Sequence, residues 1–379
     1  MMYLDQAATT PLTDSVKKYL ISMLDDYGNP SSLYSIAERP KQIISEARQS
    51  AAKFINTDSE NIYFTGGGSA SNTLAIRGYY LKNDCTIFYS PIAHKSILKY
   101  TESCKNSFPL KVNNEGIIDI HDLEQRLDIC INKPFVVIDH ANSEIATIQD
   151  IDTIIKTTHL HNGAVYLDCT GSIPAIPIDI KKSNADMIGF SAHKLGGLKG
   201  CGVLYKKRNI ELEPLIYGTQ ERTLVGGTEN VLGIASLGKA VENYDYSSIS
   251  SFNRDYVYDY IMNNIPESYL VGASIASGNR LPHNLHMCFK GIEGQSLMIL
   301  LDMNGIQVST GSACTSNDLT PSAVLSAINM DEQDIHSCIR ITFSGRETQD
   351  ELNYVCKTLK QCVEKLRIFN TYESRGFKR

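Results

Sequence analysis

Residues 187–205, "MIGFSAHKLGGLKGCGVLY", decide how this chain folds. An apolar run from Met187 to Phe190 breaks off into Ser191, His193 and Lys194. A glycine-rich stretch follows, and a second apolar run, "GVLY" from Gly202, closes the segment. Short apolar runs bounded by glycine and small polar residues read as strands buried in a sheet. The same sign recurs in "TIFYS" at 86, "FVVID" at 135 and "AVYLD" at 164. Between these runs the period changes. Ile36, Pro40, Ile43, Ile44, Ala47, Ala51 and Phe54 recur at three- and four-residue spacing, and "DIHDLEQRLDIC" at 119 and "DIDTIIKTTHLH" at 150 repeat that spacing. Strands alternating with helices predict right-handed βαβ units and a mostly parallel sheet flanked by helices.

The texture shifts after about residue 245. "EGQSLMILLDMNG" (293–305) and "PSAVLSAINM" (321–330) read as helices, and Leu352, Val355, Leu359, Cys362, Val363 and Leu366 share one helical face. A chain of 379 residues exceeds the roughly 250–300 at which a single core stops growing. The expected division is therefore a large α/β domain over 16–245 and a smaller α+β domain formed by 1–15 with 246–379. Net charge is −6, with acids and bases interleaved, so no basic stripe marks direct nucleic-acid binding. No apolar run nears the roughly 20 residues that span a bilayer, and the N-terminus has no apolar signal core. A cytoplasmic protein with no membrane partner is expected. The ten cysteines form no CxxC pair and no Cys/His cluster at zinc spacing, which predicts free thiols and no metal site.

In open α/β sheets, ligands bind beyond the carboxyl ends of the strands, and three polar features stand there. "FTGGGSASNTLAIRG" (64–78) is a strand end, a glycine turn and a helix, a form whose N–H groups and helix end suit an anion. Asp168 ends "AVYLD" and Lys194 follows "MIGFSA". Each alone is commonplace: a turn, an N-cap, a solvated lysine. Jointly they match pyridoxal phosphate, which needs a phosphate cradle, an acid at the pyridine nitrogen and a lysine for a Schiff base.

The motifs "YLDQAATTP" at the start, "GNPSS" (28–32), "FTGGGSASNTLAIRG", "HANSEIATIQDI" (140–151), "YLDCTGS", "FSAHKLGGLKG", "GTQE…GGTEN" (218–230), "STGSACTS" and "IRITFSGR" (339–346) run in one order nearly end to end. With them the chain resembles the cysteine desulfurases of the NifS/IscS type, class V aminotransferase-like enzymes of pyridoxal-phosphate fold type I, as a divergent member. The resemblance implies that Lys194 holds the cofactor and shuttles the substrate α-proton, and that Asp168 pairs with the pyridine nitrogen. It implies that His94 stacks on the ring and assists proton transfer, and that Gly68, Ser69, Ser191 and His193 bind the phosphate. Thr228 would reach the phosphate of a partner subunit in a homodimer. Asn142 would lie beside cofactor and substrate, and Arg340 would grip the substrate carboxylate through its guanidinium fork. Cys314 would take sulfur from L-cysteine as a persulfide, releasing L-alanine, and hand it to an acceptor protein for iron–sulfur assembly, tRNA thiolation or DNA phosphorothioation. A small polar loop around Cys314 fits a thiolate that must travel.

Several positions depart from the common pattern. Ala93 stands where an acid is usual, Gly171 where a glutamine donates to the cofactor's phenolic oxygen, Val225 at an arginine position and Tyr34 at a histidine position; Ala70 and Thr73 also differ. A water could fill the space beside Gly171. These changes leave the lysine, acid, histidine, arginine and thiol in place. The competing readings are a related lyase or aminotransferase-like enzyme on another amino acid, and a catalytically impaired scaffold.

Overall fold

The computed structural model describes residues 1–310 and 321–376. Its strands are β1 (Met2–Tyr3), β2 (Ile62–Thr65), β3 (Cys85–Tyr89), β4 (Ser107–Pro109), β5 (Lys133–Asp139), β6 (Ala164–Asp168), β7 (Met187–Ser191), β8 (Gly202–Lys206), β9 (Ser268–Leu270), β10 (Asn284–Phe289), β11 (Ile306–Gln307) and β12 (Cys338–Thr342). Seven of them form the central sheet in the order β2-β8-β7-β6-β5-β3-β4. Strand β8 alone runs against its neighbours, pairing antiparallel with both β2 and β7; the links from β7 to β4 are parallel. The protein is thus an α/β fold with a mostly parallel central sheet. The reversal has a local cause. The glycine-rich turn after Lys194 is short enough to return the chain as a neighbouring antiparallel strand, where a parallel neighbour needs a crossover of a dozen or more residues.

Helices α1 (Asp14–Ser22), α2 (Glu38–Phe54), α3 (Gly68–Lys82) and α4 (Lys95–Thr101) carry the first half of the fold. The stripe read in the sequence is the buried side of α2: Pro40, Ile43, Ile44, Ala47 and Ala51 are all buried. It packs on the helix Val231–Glu242, where Gly238 lies so near Ala47 that a Cβ would stand 2.6 Å from it. One core joins these helices to one face of the sheet, and a second lies on the face bearing Phe135, Val137 and Tyr166, against which Tyr79 of α3 packs. The strands read as continuous apolar runs because both faces are covered. A third core gathers Leu4 with residues from Val257 to Val363 around a three-stranded antiparallel sheet, β12-β10-β9. The closing helix, Gln349–Gly376, lays Leu352, Val355, Leu359, Cys362 and Val363 against it. The helix expected over 321–330 is shorter, Ala323–Ala327, capped by Ser322.

The N-terminal segment ties the two sheets together. Met2 and Tyr3 pair with Ile306 and Gln307, the Thr342 N–H donates to the Leu4 carbonyl, and Thr10 donates to the His193 carbonyl from both its N–H and its hydroxyl. Among the described residues, no helix is long and apolar enough to cross a membrane. None of the described His, Cys, Asp and Glu residues cluster as a metal site.

Candidate active site

A cleft of about 420 Å³ opens at the carboxyl ends of β5, β6 and β7, and Gly68, Ser69, His94, Asn142, Asp168, Ser191, His193, Lys194 and Arg340 all line it. Residues more than 270 positions apart in the chain meet there because parallel strands end at one level and the β12 sheet packs across that end.

Asp168 closes β6 and is 5% exposed. Its Oδ1 accepts the Thr170 N–H at 2.9 Å and its Oδ2 accepts the Asn72 amide at 2.8 Å. Asn72 donates its other amide proton to Ser96 Oγ at 2.9 Å and accepts the Tyr166 hydroxyl at 2.5 Å. The Ser96 hydroxyl lies 2.8 Å and its N–H 3.2 Å from Nδ1 of His94, the N-cap of α4. Because the Ser96 hydroxyl already accepts from Asn72, it donates to Nδ1, and the His94 ring proton sits on Nε2. Desolvation by the cleft walls, opposed by Asp168, holds the His94 pKa below its usual value, so the ring is neutral at pH 7. One hydrogen-bonded chain thus joins the strand-end acid to the histidine.

The anion cradle lies on the other side. Helix α3 begins at Gly68, and Gly67 precedes it at φ +138, a conformation open to glycine. A Cβ at Gly68 would stand 2.8 Å from Thr170 Oγ1, so glycine leaves room between the start of α3 and that hydroxyl. The hydroxyls of Ser191 and Thr170 are buried without a hydrogen-bond partner. Orphaned buried hydroxyls cost free energy unless a ligand satisfies them. Both face the N–H groups at the start of α3, as a phosphate requires. His193 is tied through Nδ1 to Thr9 Oγ1 at 3.1 Å, and burial, with Lys194 and Lys199 adding, holds its pKa down at about 4. The residues present fit pyridoxal phosphate: a cradle, an oriented carboxylate, and Lys194 on the wall of the same cleft.

Arg340 is 7% exposed. Its guanidinium donates to Asp5 Oδ1 at 2.7 Å and to the Ser143 carbonyl at 3.1 Å, while Nε is buried with no partner. That free N–H is one arm of a fork for an incoming carboxylate. Asp5, within the quoted "YLDQAATTP", belongs to the site through this pair, 335 residues away in sequence.

Asn142 is differently occupied from what the resemblance implies. It donates to the Ile92 carbonyl at 2.6 Å, and its oxygen accepts the N–H groups of Glu144 and Ile145 at 2.9 Å each. It lines the cleft chiefly as the residue that shapes the 141–146 turn, where Ala146 is held at φ +67. Glu144, buried and raised in pKa by that burial, accepts the Ser322 hydroxyl at 2.6 Å. Ser322, the N-cap of the Ala323–Ala327 helix, is thereby pinned to the turn.

Gly171 lines the cleft, but a side chain there would be crowded by the 141–143 backbone. A Cβ there would stand 2.8 Å from the Ala141 carbonyl oxygen and 3.3 Å from Ser143 Cβ. Thr228 is exposed and does not line its own chain's cleft. Cys314 lies outside the described residues. Thr170, Asn72, Asp5 and Asp139 line the cleft and went unread in the sequence. Asp139 had a signal: "FVVID" and "AVYLD" both end an apolar run in aspartate, so neighbouring strands present two acids at one level.

The fold and the cleft together define a fold-type-I pyridoxal-phosphate enzyme. Residues 2–355 match the aminotransferase class-V family, and the chain belongs to it. Within that family it is similar to the cysteine desulfurase IscS of Dictyoglomus turgidum, at 36% identity over 98% of this chain and 97% of that one. It is likewise similar to the cysteine desulfurase IscS of Methanosarcina thermophila, at 35% identity over 97% and 93%. Among solved structures it superposes on a NifS-like protein from Rickettsia africae with a TM-score of 0.88, at 30% identity over 96% and 99% of the two chains. It also superposes on SspA, solved in complex with cysteine, with a TM-score of 0.79 at 29% identity over 92% and 100%.

Proposed function

We propose that this protein is an L-cysteine desulfurase that binds pyridoxal phosphate and delivers sulfur through Cys314. The observation that carries the reading is the convergence of Lys194, Asp168 and Arg340 on one cleft, in a chain whose full length follows IscS-type relatives. The bound cofactor supplies an electron sink for the bonds broken at the amino acid's α- and β-carbons. Ser191, Thr170, Gly68 and Ser69 would hold its phosphate, and Asp168, oriented by two donors, would face its ring nitrogen. Lys194 anchors it and receives the substrate α-proton. Arg340 orients the substrate carboxylate with Nε and the guanidinium edge beside it. His94, neutral with its proton on Nε2, exchanges protons with the substrate. The Cys314 thiolate takes the sulfur: L-cysteine and the Cys314 thiol become L-alanine and a Cys314 persulfide, with no external oxidant. An acceptor protein then draws the sulfur off, and pull-down of that protein assigns it to iron–sulfur assembly, tRNA thiolation or DNA phosphorothioation.

The active unit in this reading is a homodimer, supported by the exposure of Thr228 and by Leu33 at 98% and Tyr217 at 76% exposed. The two domains are residues 16–245, and 1–15 with 246–379; the third core, which joins Leu4 to residues beyond Val257, supports that division. The deciding experiment supplies L-cysteine to the purified holoenzyme and follows alanine, together with persulfide on Cys314 by mass spectrometry. Alanine and a Cys314 persulfide are expected from the wild type, and neither from Cys314→Ala. Undiminished alanine release by that variant sinks the thiolate mechanism.

A further inference from the structure

Asp139 is the last residue of β5, and its register partner on β6 is Asp168. Paired residues on parallel strands send their side chains to the same face of a sheet, at neighbouring-strand spacing. Two carboxyl groups therefore stand side by side at the end of the sheet. Each is 5% exposed, and both line the same cleft.

Their surroundings differ sharply. Both oxygens of Asp168 accept from donors fixed by the fold. Neither oxygen of Asp139 reaches a donor at hydrogen-bonding geometry. Flanking Asp139 are the Ser90 side chain beyond β3 and the Asn142 side chain beyond β5, which favour its charged form, and Asp168 itself on β6, which opposes it. His140 follows it in the chain, neutral because burial holds its pKa at about 4. An apolar residue at this β5 terminus would avoid the cost of burying an unpaired carboxyl. The position instead adds a second acid where the family's cofactor places a positive charge.

We propose that Asp139 is a second carboxyl of the cofactor's ring site: it carries a proton while the site is empty and releases it when the cationic ring nitrogen is seated at Asp168. The inference rests on the pyridoxal-phosphate reading above. The direction of titration agrees with it. Burial first, then the Asp168 charge, raises the Asp139 pKa to about 6. When two like-charged groups share a site, one holds its proton until a counter-charge arrives. The proton leaves to solvent as the ring cation compensates the second carboxylate, so charge balances without a further reactant.

Binding and proton release are then linked. Below the empty-site pKa of Asp139, cofactor affinity falls about tenfold per pH unit, with about one proton released per cofactor bound. Above it, the wild type binds more tightly than a chain lacking the second charge, by about tenfold for each unit by which the cation lowers that pKa. The test titrates pyridoxal phosphate into the cofactor-free full-length chain by calorimetry, in two buffers of different ionisation enthalpy, from about pH 5 to pH 8. Wild type is compared with Asp139→Asn, so that protons released by the cofactor, Lys194, His94 and His193 cancel. Wild type is expected to release about one proton more than the variant near pH 5, a difference that vanishes by about pH 8. At pH 8 the variant should hold the cofactor more weakly.

Equal proton counts at every pH overturn the proposal. If Asp139→Asn does not fold, infrared difference spectroscopy of wild type decides. A protonated-carboxyl stretch that disappears on adding pyridoxal phosphate near pH 5 supports the assignment, and an unchanged one overturns it. Failure of wild type to take up pyridoxal phosphate at all, with no visible cofactor absorption, overturns the cofactor reading itself, and the two failures are thereby distinguished.

Discussion

Glu221 is the buried post on which the loop before "GGTEN" stands, and its removal has a calculable cost. Its carboxylate receives both Arg48 guanidinium nitrogens, Nη1 at 2.8 Å and Nη2 at 2.6 Å, and also the Phe64 N–H of β2 at 2.8 Å. Arg48 in turn donates to the Ile62 carbonyl at 2.7 Å and stacks on the Phe64 ring at 4.6 Å. The pair holds an unfavourable backbone: Glu221, Arg222 and Thr223 lie at φ 44, 52 and 71, three consecutive left-handed residues without a glycine. Such residues cost about 1–3 kcal/mol each and persist only where the surroundings impose them. Glu221→Gln keeps the shape but leaves a largely buried guanidinium uncompensated, a loss of about 3–5 kcal/mol. Glu221→Ala also orphans the Phe64 N–H, adding about 1–3 kcal/mol. Replacing both partners, Arg48→Met with Glu221→Leu, should be more stable than Glu221→Ala alone, because the desolvation of two charges disappears with them while the Phe64 N–H stays orphaned in both. The chain has no tryptophan, so urea unfolding is followed by circular dichroism. The reasoning fails if Glu221→Gln costs less than about 1 kcal/mol, or if the double variant is less stable than both single ones.

Two further outcomes follow from the site. Arg340→Lys keeps the charge but loses the fork and the Nε donor. The KM for L-cysteine should rise about tenfold or more with a smaller change in kcat, and an unchanged KM removes Arg340 from the substrate. Gly171→Gln, which puts back the glutamine usual at this position, should lower the melting temperature because its Cβ meets the Ala141 carbonyl oxygen at 2.8 Å. The cost expected is about 1–3 kcal/mol, and a variant as stable as wild type would show that the 141–143 turn can retreat.

Much of the architecture was legible in the chain. The apolar runs at 135, 164, 187 and 202 are strands, the 38–54 stripe is a buried helical face, and Asp168, Ser191, His193 and Lys194, read at strand ends, line the cleft; of the residues placed by the resemblance, Gly68, Ser69, His94, Asn142 and Arg340 line it, Thr228 does not, and Cys314 lies outside the described residues. These readings succeed because side-chain period and strand termini are local properties. The crowding that a side chain at Gly171 would meet at the Ala141 carbonyl, and Asn142 as a turn-former bonded to the Ile92 carbonyl, were not legible, since each depends on backbone brought in from elsewhere in the chain.

The sequence by itself determined the chemistry on offer: a lysine and an acid at strand ends read from local pattern, and a histidine, an arginine and a thiol whose roles came through the resemblance. Only the tertiary structure decided which atoms remain available. It left Ser191, Thr170 and the Nε of Arg340 without partners, and it seated Glu221 under Arg48. It also set Asp139 beside Asp168, since strand register is chosen by packing across the whole sheet and neither strand's own residues can state which neighbour it will meet.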